Sequence, residues 1–258
     1  MRARPLGRAY RTRVCRPDPS IGRRADMQTD APSDLSRSRI FDGLTENERA
    51  TWLSESLACQ VRRGETLARQ GEPAHCFYLV ETGFLKLVQV TADGRELIVR
   101  FVGPREPFAG IVALDQADYP VTALAVESTR MRAWPRDVLM RLLERFPVVR
   151  TNIMREIARH MNDALTRVRE LTTDRVGQRL AHTLLRLMRQ CGQPTPDGIL
   201  ISHPLTRQEL AALTGTTLYT VSRTLSQWEA EGLLRSERRR LLVRSPRGLE
   251  TLSRSDDD

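Results

Sequence analysis

The chain has 258 residues, 28% of them charged, with 41 Lys and Arg against 32 Asp and Glu for a formal net charge of +9. That length holds one large or two modest domains, each able to bury its own core, and the basic balance points to an acidic partner. Cys15, Cys59, Cys76 and Cys191 form no C-x-x-C pair and no apolar run approaches the roughly 20 residues that span a bilayer, so neither a zinc site, a disulfide framework nor a membrane anchor is signalled.

The expectation is a soluble cytoplasmic protein with reduced thiols and no membrane partner. Within the first 26 residues Arg2, Arg4, Arg8, Arg11, Arg13, Arg16, Arg23 and Arg24 face only Asp18 and Asp26, so most of the excess charge lies at one end. A nucleic-acid role must therefore rest on local clusters. Lys86 is the only lysine, which ties part of the arginine richness to codon composition. Residues 1–38 are rich in Arg, Pro, Ser and Asp with little apolar periodicity, and such a segment cannot offset its ordering entropy by burial. A disordered basic arm is predicted. It can be an arm that touches DNA or a membrane, a transit peptide, or an untranslated stretch preceding a start at Met27. The last is preferred, because the sequence after Met27 is less basic and runs directly into folded sequence.

Residues 39–135 read as a small β-domain. Thr45 and Glu48 form a capping box for a helix through Leu53 and Leu57. Strands are expected over Val61–Leu67, Cys76–Val80, Phe84–Val90, Leu97–Val102, Ala123–Val126 and Arg130–Trp134. Gln70-Gly71-Glu72-Pro73, Thr82-Gly83 and Ala92-Asp93-Gly94-Arg95 supply the turns between them. Many short strands at regular spacing imply a closed β-roll.

Residues 136–173 are helical, with a break at Phe146-Pro147. Ile153, Ile157, Met161, Ala164, Val168 and Leu171 recur at intervals of three and four, a narrow seam of the coiled-coil sort. The seam can pack on its own barrel, but the charged flanks, Arg167 among them, leave little second face to bury; a two-fold partner is the simpler solution. Thr172-Thr173-Asp174 is read as hinge and cap, followed by a helix over Val176–Met188, a loop over Cys191–Gly198 and a strand over Ile199–Ile201.

Thr206 and Glu209 form a second capping box, Leu210 and Leu213 point inward, and Gly215 supplies a turn. A further helix capped by Thr216 or Thr217 places Val221, Leu225 and Trp228 on its core face and leaves Thr217, Leu218, Tyr219, Ser222 and Arg223 opposite. A major groove admits one such helix, and an arginine near its start can bond guanine through two hydrogen bonds. Alone, the pattern fits an ordinary helical hairpin equally well. Leu233–Arg235 and Leu241–Val243 then flank Ser236–Arg240, a hairpin whose basic tip, Arg238, Arg239 and Arg240, is placed to lie on phosphates.

Gly71-Glu72-Pro73, Phe77-Tyr78-Leu79-Val80, Gly83 and Leu85-Lys86-Leu87, followed by the helix pair, closely resemble the Crp/Fnr superfamily from about Ile40 to the C-terminus. The resemblance implies an α+β protein: an N-terminal double-stranded, cupin-like β-roll (39–135), a long dimerisation helix with its hinge (136–173) and a C-terminal winged helix-turn-helix (174–258). It implies a homodimeric bacterial transcription regulator that binds a two-fold DNA operator, with RNA polymerase as a further partner and a small effector in the roll. Leu218, Tyr219, Ser222 and Arg223 would face bases, and Thr206, Arg207, Gln208 and Thr217 would anchor phosphates. Relatives usually carry an acidic residue one turn before the arginine; Leu218-Tyr219 spans that place, and Tyr219 can pack on a thymine methyl or donate to a phosphate.

The candidate effector pocket by resemblance is Phe84, Gly110, Ile111, Val121 and Thr122. Ile111 stands where the cyclic-AMP branch has its ribose-binding acid and Val121 where it has its phosphate-binding arginine. Ala164 and Leu165 replace the base-contacting hydroxyls. A buried cyclic phosphate needs its counter-charge, so cyclic AMP is not supported. The tight N-terminal cysteine set of an iron–sulfur member is also missing. His75 beside Cys76, or His160, can ligate haem in a gas-sensing member, or be packed and solvated side chains; Cys59 or Cys76 can be redox thiols. A ligand-gated protein-interaction module is the competing class. No nucleophile–base pair, metal cluster or phosphate loop points to an enzyme.

Overall fold

The computed structural model describes residues 35–90, 96–110, 117–202, 205–237 and 240–254. They fall into two compact units, one with residues up to Arg95 and Arg100–Arg150, the other with Glu96–Val99 and Thr151 onward.

The first unit starts earlier than the expected boundary at residue 39. Leu35 is buried in a short 3-10 turn, and the buried Ser38 hydroxyl donates to the Arg105 carbonyl at 2.7 Å. Helix α1, Glu46–Ser54, has the expected capping box at Thr45 and Glu48. It ends before Leu57, which instead opens strand β1, Leu57–Val61. The single strand expected over Val61–Leu67 is two: Gly64, at φ 80°, turns the chain between β1 and β2, Thr66–Ala68. A side chain would be strained at that φ.

Strands β3 (Cys76–Thr82), β4 (Leu85–Val90), β5 (Glu96–Val102), β6 (Pro107–Phe108), β7 (Thr122–Ala125) and β8 (Thr129–Pro135) complete two four-stranded sheets. Their orders are β1-β8-β3-β6 and β2-β7-β4-β5. The turn expected at Ala92–Arg95, between β4 and β5, lies outside the described residues.

Trp52 and Trp134 are both fully buried, and the Trp134 indole donates to the Trp52 carbonyl at 2.9 Å. Phe41, Phe77 and Phe146 extend this aromatic cluster at centroid separations of 5.7–6.3 Å. Tilted rings at such distances add to area burial, so the cluster welds α1 and helix α2, Arg136–Arg145, to the sheet.

Helix α3, Pro147–Thr173, spans the boundary between the units. In the second unit follow α4 (Val176–Cys191), β9 (Gly192–Thr195), β10 (Gly198–Ile201), α5 (Arg207–Thr214), α6 (Leu218–Ala230), β11 (Leu234–Glu237), β12 (Arg240–Val243) and α7 (Pro246–Arg254). Two expectations are corrected here. Gly192–Thr195 is not loop but the edge of a sheet ordered β11-β12-β10-β9, a position where Pro194 and its missing donor are tolerated. Asp174 does not cap α4: the Gln178 side chain reaches back to the Arg175 amide at 2.7 Å. The C-terminal helix α7, absent from the sequence expectation, packs on α4.

Among the described residues, Cys76 and Cys191 are free cysteines. No helix among the described residues is long and apolar enough to cross a membrane.

Candidate nucleic-acid interface

The helix pair α5 and α6 is built by local chemistry. The Thr206 hydroxyl accepts from the Glu209 amide at 3.1 Å, and the Glu209 carboxylate accepts from the Thr206 amide at 3.0 Å. Reciprocal capping satisfies two of the donors a helix start leaves open. Gly215 closes α5 in the left-handed conformation, φ 61° and ψ 41°. Thr217, rather than Thr216, caps α6 and accepts from the Thr220 amide at 3.2 Å.

Val221, Leu225 and Trp228 are buried as expected, which fixes the rotation of α6. The opposite face leaves Leu218 47% and Tyr219 75% exposed, with Ser222 half-buried and Arg223 exposed on the following turn. Among the described residues, Arg223 has no hydrogen-bond or ion-pair partner. Its guanidinium is free to meet an external acceptor. All four expected base-reading residues thus share one solvent-facing side of a single helix.

The phosphate-anchoring set is more mixed. Arg207 is half-buried and Gln208 exposed at the start of α5, and Arg240 is exposed at the start of β12. Thr206 and Thr217 have their hydroxyls engaged in capping. Arg238 and Arg239 lie outside the described residues. The wing itself is fastened to α6: the Glu229 carboxylate accepts from the Ser236 amide at 2.9 Å, and the Leu233 amide donates to the Trp228 carbonyl.

Behind the pair, Arg179 on α4 holds the turn in place. It donates to the Thr214 carbonyl at 2.8 Å and to the Asp174 carbonyl at 2.7 Å. Glu170, 3% exposed near the end of α3, takes both its oxygens to Arg186 at 2.6 and 2.7 Å, with His182 4.0 Å away. Arg167 is not the solvated flank that was expected. Its guanidinium donates to the carbonyls of Ile98 and Val99. Burial and then the nearby Arg186 lower its pKa, with Glu170 opposing.

The expected seam on α3 divides. Ile153 is buried within the chain and Ile157 half-buried. Met161, Val168 and Leu171 are 64%, 59% and 46% exposed, Ala164 is exposed, and Leu165 joins them at 58%. Contiguous exposed apolar surface of this kind is a candidate interaction surface.

In the roll, the expected effector residues are partly described: Phe84 is buried, Gly110, Val121 and Thr122 are half-buried, and Ile111 lies outside the described residues. The Thr122 hydroxyl already accepts from the Gln70 amide at 3.1 Å. A different cavity, about 30 Å³, is lined by Leu67, Ala68, Glu72, Pro73, His75, Cys76, Tyr78 and Tyr119. Tyr78 hydrogen-bonds to both Cys76 and Tyr119, and Tyr78, Phe108 and Tyr119 stack at 6.0 and 5.8 Å. Burial raises the Cys76 thiol and the Tyr78 phenol, and pushes Tyr119 up to about 12. A space of this size admits a water-sized group. His160 is half-buried on α3, and among the described residues no group of three or more His, Cys, Asp and Glu side chains gathers at a metal-sized site. Sequence reasoning missed the meeting of Tyr78 and Tyr119, because it depends on the pairing of Tyr78 with Phe108 and on the backbone bonds that tie Tyr119 to the Gly71-Glu72 turn.

Residues 58–146 match the cyclic nucleotide-binding domain family, and residues 178–252 match the Crp-like helix-turn-helix domain family. The chain is 31% identical over 201 residues to the cyclic AMP receptor protein of Thermus thermophilus, which covers 78% of this chain and 90% of that protein. It is 30% identical over 193 residues to the transcriptional activator protein FnrA of Stutzerimonas stutzeri, covering 75% and 79% of the two chains. The solved structure of FixK2 from Bradyrhizobium japonicum superposes with a TM-score of 0.68 at 25% identity, over 78% of this chain and 99% of that one.

Proposed function

The chain belongs to the Crp/Fnr family of DNA-binding transcription regulators, and from that premise we propose that it acts in the cytoplasm as a homodimer on a two-fold operator, controlled by a small effector of the roll. The observation that carries the reading is the exposed Arg223 guanidinium on the open face of α6. Arg223 bonds a guanine edge, and Ser222, Leu218 and Tyr219 face the neighbouring bases. Arg207, Gln208, Arg240, Thr206 and Thr217 anchor phosphates, joined by Arg238 and Arg239 of the wing tip. These contacts position the protein without carrying sequence information.

The exposed stripe of Met161, Ala164, Leu165, Val168 and Leu171 supports dimerisation through α3. Two copies related by a two-fold axis read half-sites about one helical turn, roughly 34 Å, apart. An aliphatic side chain at Val121 supports an effector other than cyclic AMP, since nothing at that position neutralises a cyclic phosphate. The effector shifts the population of the reading-competent state, and the operator-bound dimer meets RNA polymerase.

Binding to selected and random duplexes across a salt series tests this. The expected result is tight binding to one two-fold sequence, with an affinity that falls linearly on a logarithmic salt scale. Arg223→Ala is expected to lose about 1–3 kcal/mol of discrimination at one base pair per half-site while keeping its salt slope. Equal binding to random duplex, as a protein-interaction module would give, sinks the proposal.

A further inference from the structure

Among the described residues from 176 to 254, the only exposed large hydrophobic side chains are Leu218 and Tyr219. They are adjacent, they occupy the first turn of α6, and they share the face that carries Arg223 one turn later. Tyr219, at 75%, is the most exposed large hydrophobic residue described in the molecule. Single exposed apolar residues are common and mean little. A pair at the leading end of a helix, beside an exposed guanidinium, is a more specific arrangement.

The chemistry of that face is equally informative for what it contains and where. The only carboxylate on α6 is Glu229, at the far end, where it already accepts from the Ser236 amide. Glu209, on α5, is engaged in its capping box. The cytosine amino group is a donor that a carboxylate accepts, and the thymine edge offers an acceptor and a 5-methyl group that apolar side chains contact. With no carboxylate at its leading end, α6 has little with which to select cytosine. It has two hydrocarbon surfaces with which to select a methyl.

We infer that Leu218 and Tyr219 read thymine 5-methyl groups at positions flanking the guanine bonded by Arg223. The inference rests on the DNA-reading assignment above and specifies its half-site: guanine beside methyl-bearing pyrimidines. The Tyr219 ring supplies the contact, and its hydroxyl is dispensable. Burying one methyl in such a contact is expected to be worth about fourfold in affinity.

The test begins with selection of duplexes from a random pool by the full-length protein. Low salt and high protein concentration allow a minor binding-competent population to retain its preferred sequence. Each thymine of the selected half-site is then replaced by deoxyuridine, which deletes only the methyl. The expected result is a loss of about three- to fourfold at one or two positions. Tyr219→Ala or Leu218→Ala abolishes the loss at its own position, and Tyr219→Phe preserves it. Duplexes containing 5-methylcytosine at those positions recover part of the affinity relative to cytosine. If deoxyuridine is tolerated everywhere while the specific sequence and the Arg223 effect stand, the inference is overturned and the DNA-reading assignment survives. A loss that is the same in the wild-type, Leu218→Ala and Tyr219→Ala proteins, or one at the Tyr219 position that Tyr219→Phe abolishes, also overturns it. Failure to recover any preferred sequence overturns both.

Discussion

The two units handle polar groups in opposite ways. In the roll, Cys76, Tyr78 and Tyr119 are turned into a cavity of about 30 Å³, hydrogen-bonded to one another and held neutral by burial. In the reading unit the corresponding investment is in the scaffold: Thr206, Thr217, Gly215 and Arg179 fix the backbone so that Arg223 is left exposed, with no partner among the described residues. A surface that must meet a highly charged polymer keeps its charge in water until contact, whereas a sealed cluster gains from having none. Rigidity therefore has different sources in the two units, aromatic packing in one and capping and turn geometry in the other.

The largest expected effect separates these sources. Trp52→Ala removes a fully buried indole at the centre of the aromatic cluster and is expected to cost about 3–5 kcal/mol. Calorimetry should show the roll transition falling while that of the reading unit stays, because the two are distinct compact units. A single transition that falls as a whole would remove the basis for treating them separately.

Alkaline titration comes next. A phenol whose folded pKa is raised stabilises the fold fully below its ordinary value of 10 and loses that contribution as pH climbs through the raised value. Tyr119 at about 12 corresponds to about 2–3 kcal/mol, lost between about pH 10 and 12. Tyrosinate absorbance should therefore appear together with melting of the roll, and Tyr119→Phe should remove its share of the pH dependence. Early, non-cooperative ionisation of both Tyr78 and Tyr119 would show that the cluster is open to water.

The smallest expected effect belongs to the reading unit. Gly215→Ala places a side chain at φ 61°, and its Cβ would lie 3.0 Å from Leu171 Cδ2. The expected cost is about 1–2 kcal/mol, read as a lower melting point of the second unit alone, with the roll transition unmoved.

How much of this was legible in the sequence follows the same division. The reading unit was legible nearly residue by residue because its signals are local: threonine and glutamate three apart, a glycine at the turn, core residues at intervals of three and four. The roll was legible as a succession of strands, but not in its details. Gly64 splits one apparent strand, and Leu57 belongs to β1 although its spacing from Leu53 fits a helix. The Cys76–Tyr78–Tyr119 cluster depends on the pairing of distant segments, which periodicity cannot report. Strand β9 was hidden by its glycine and proline, residues that usually announce a loop. Arg167 reads as a surface charge in any helical wheel, and only the strand carrying Ile98 and Val99 gives it a partner.

Leu171 carries two obligations. Its side chain ends the exposed stripe of α3, and its Cδ2 also occupies the space that Gly215 leaves vacant by lacking a Cβ. A mutation there is thus never confined to one role: a larger residue crowds the turn before α6, and a polar one interrupts the stripe. Over evolutionary time, position 171 should drift slowly, and changes at 171 and 215 should be inherited together.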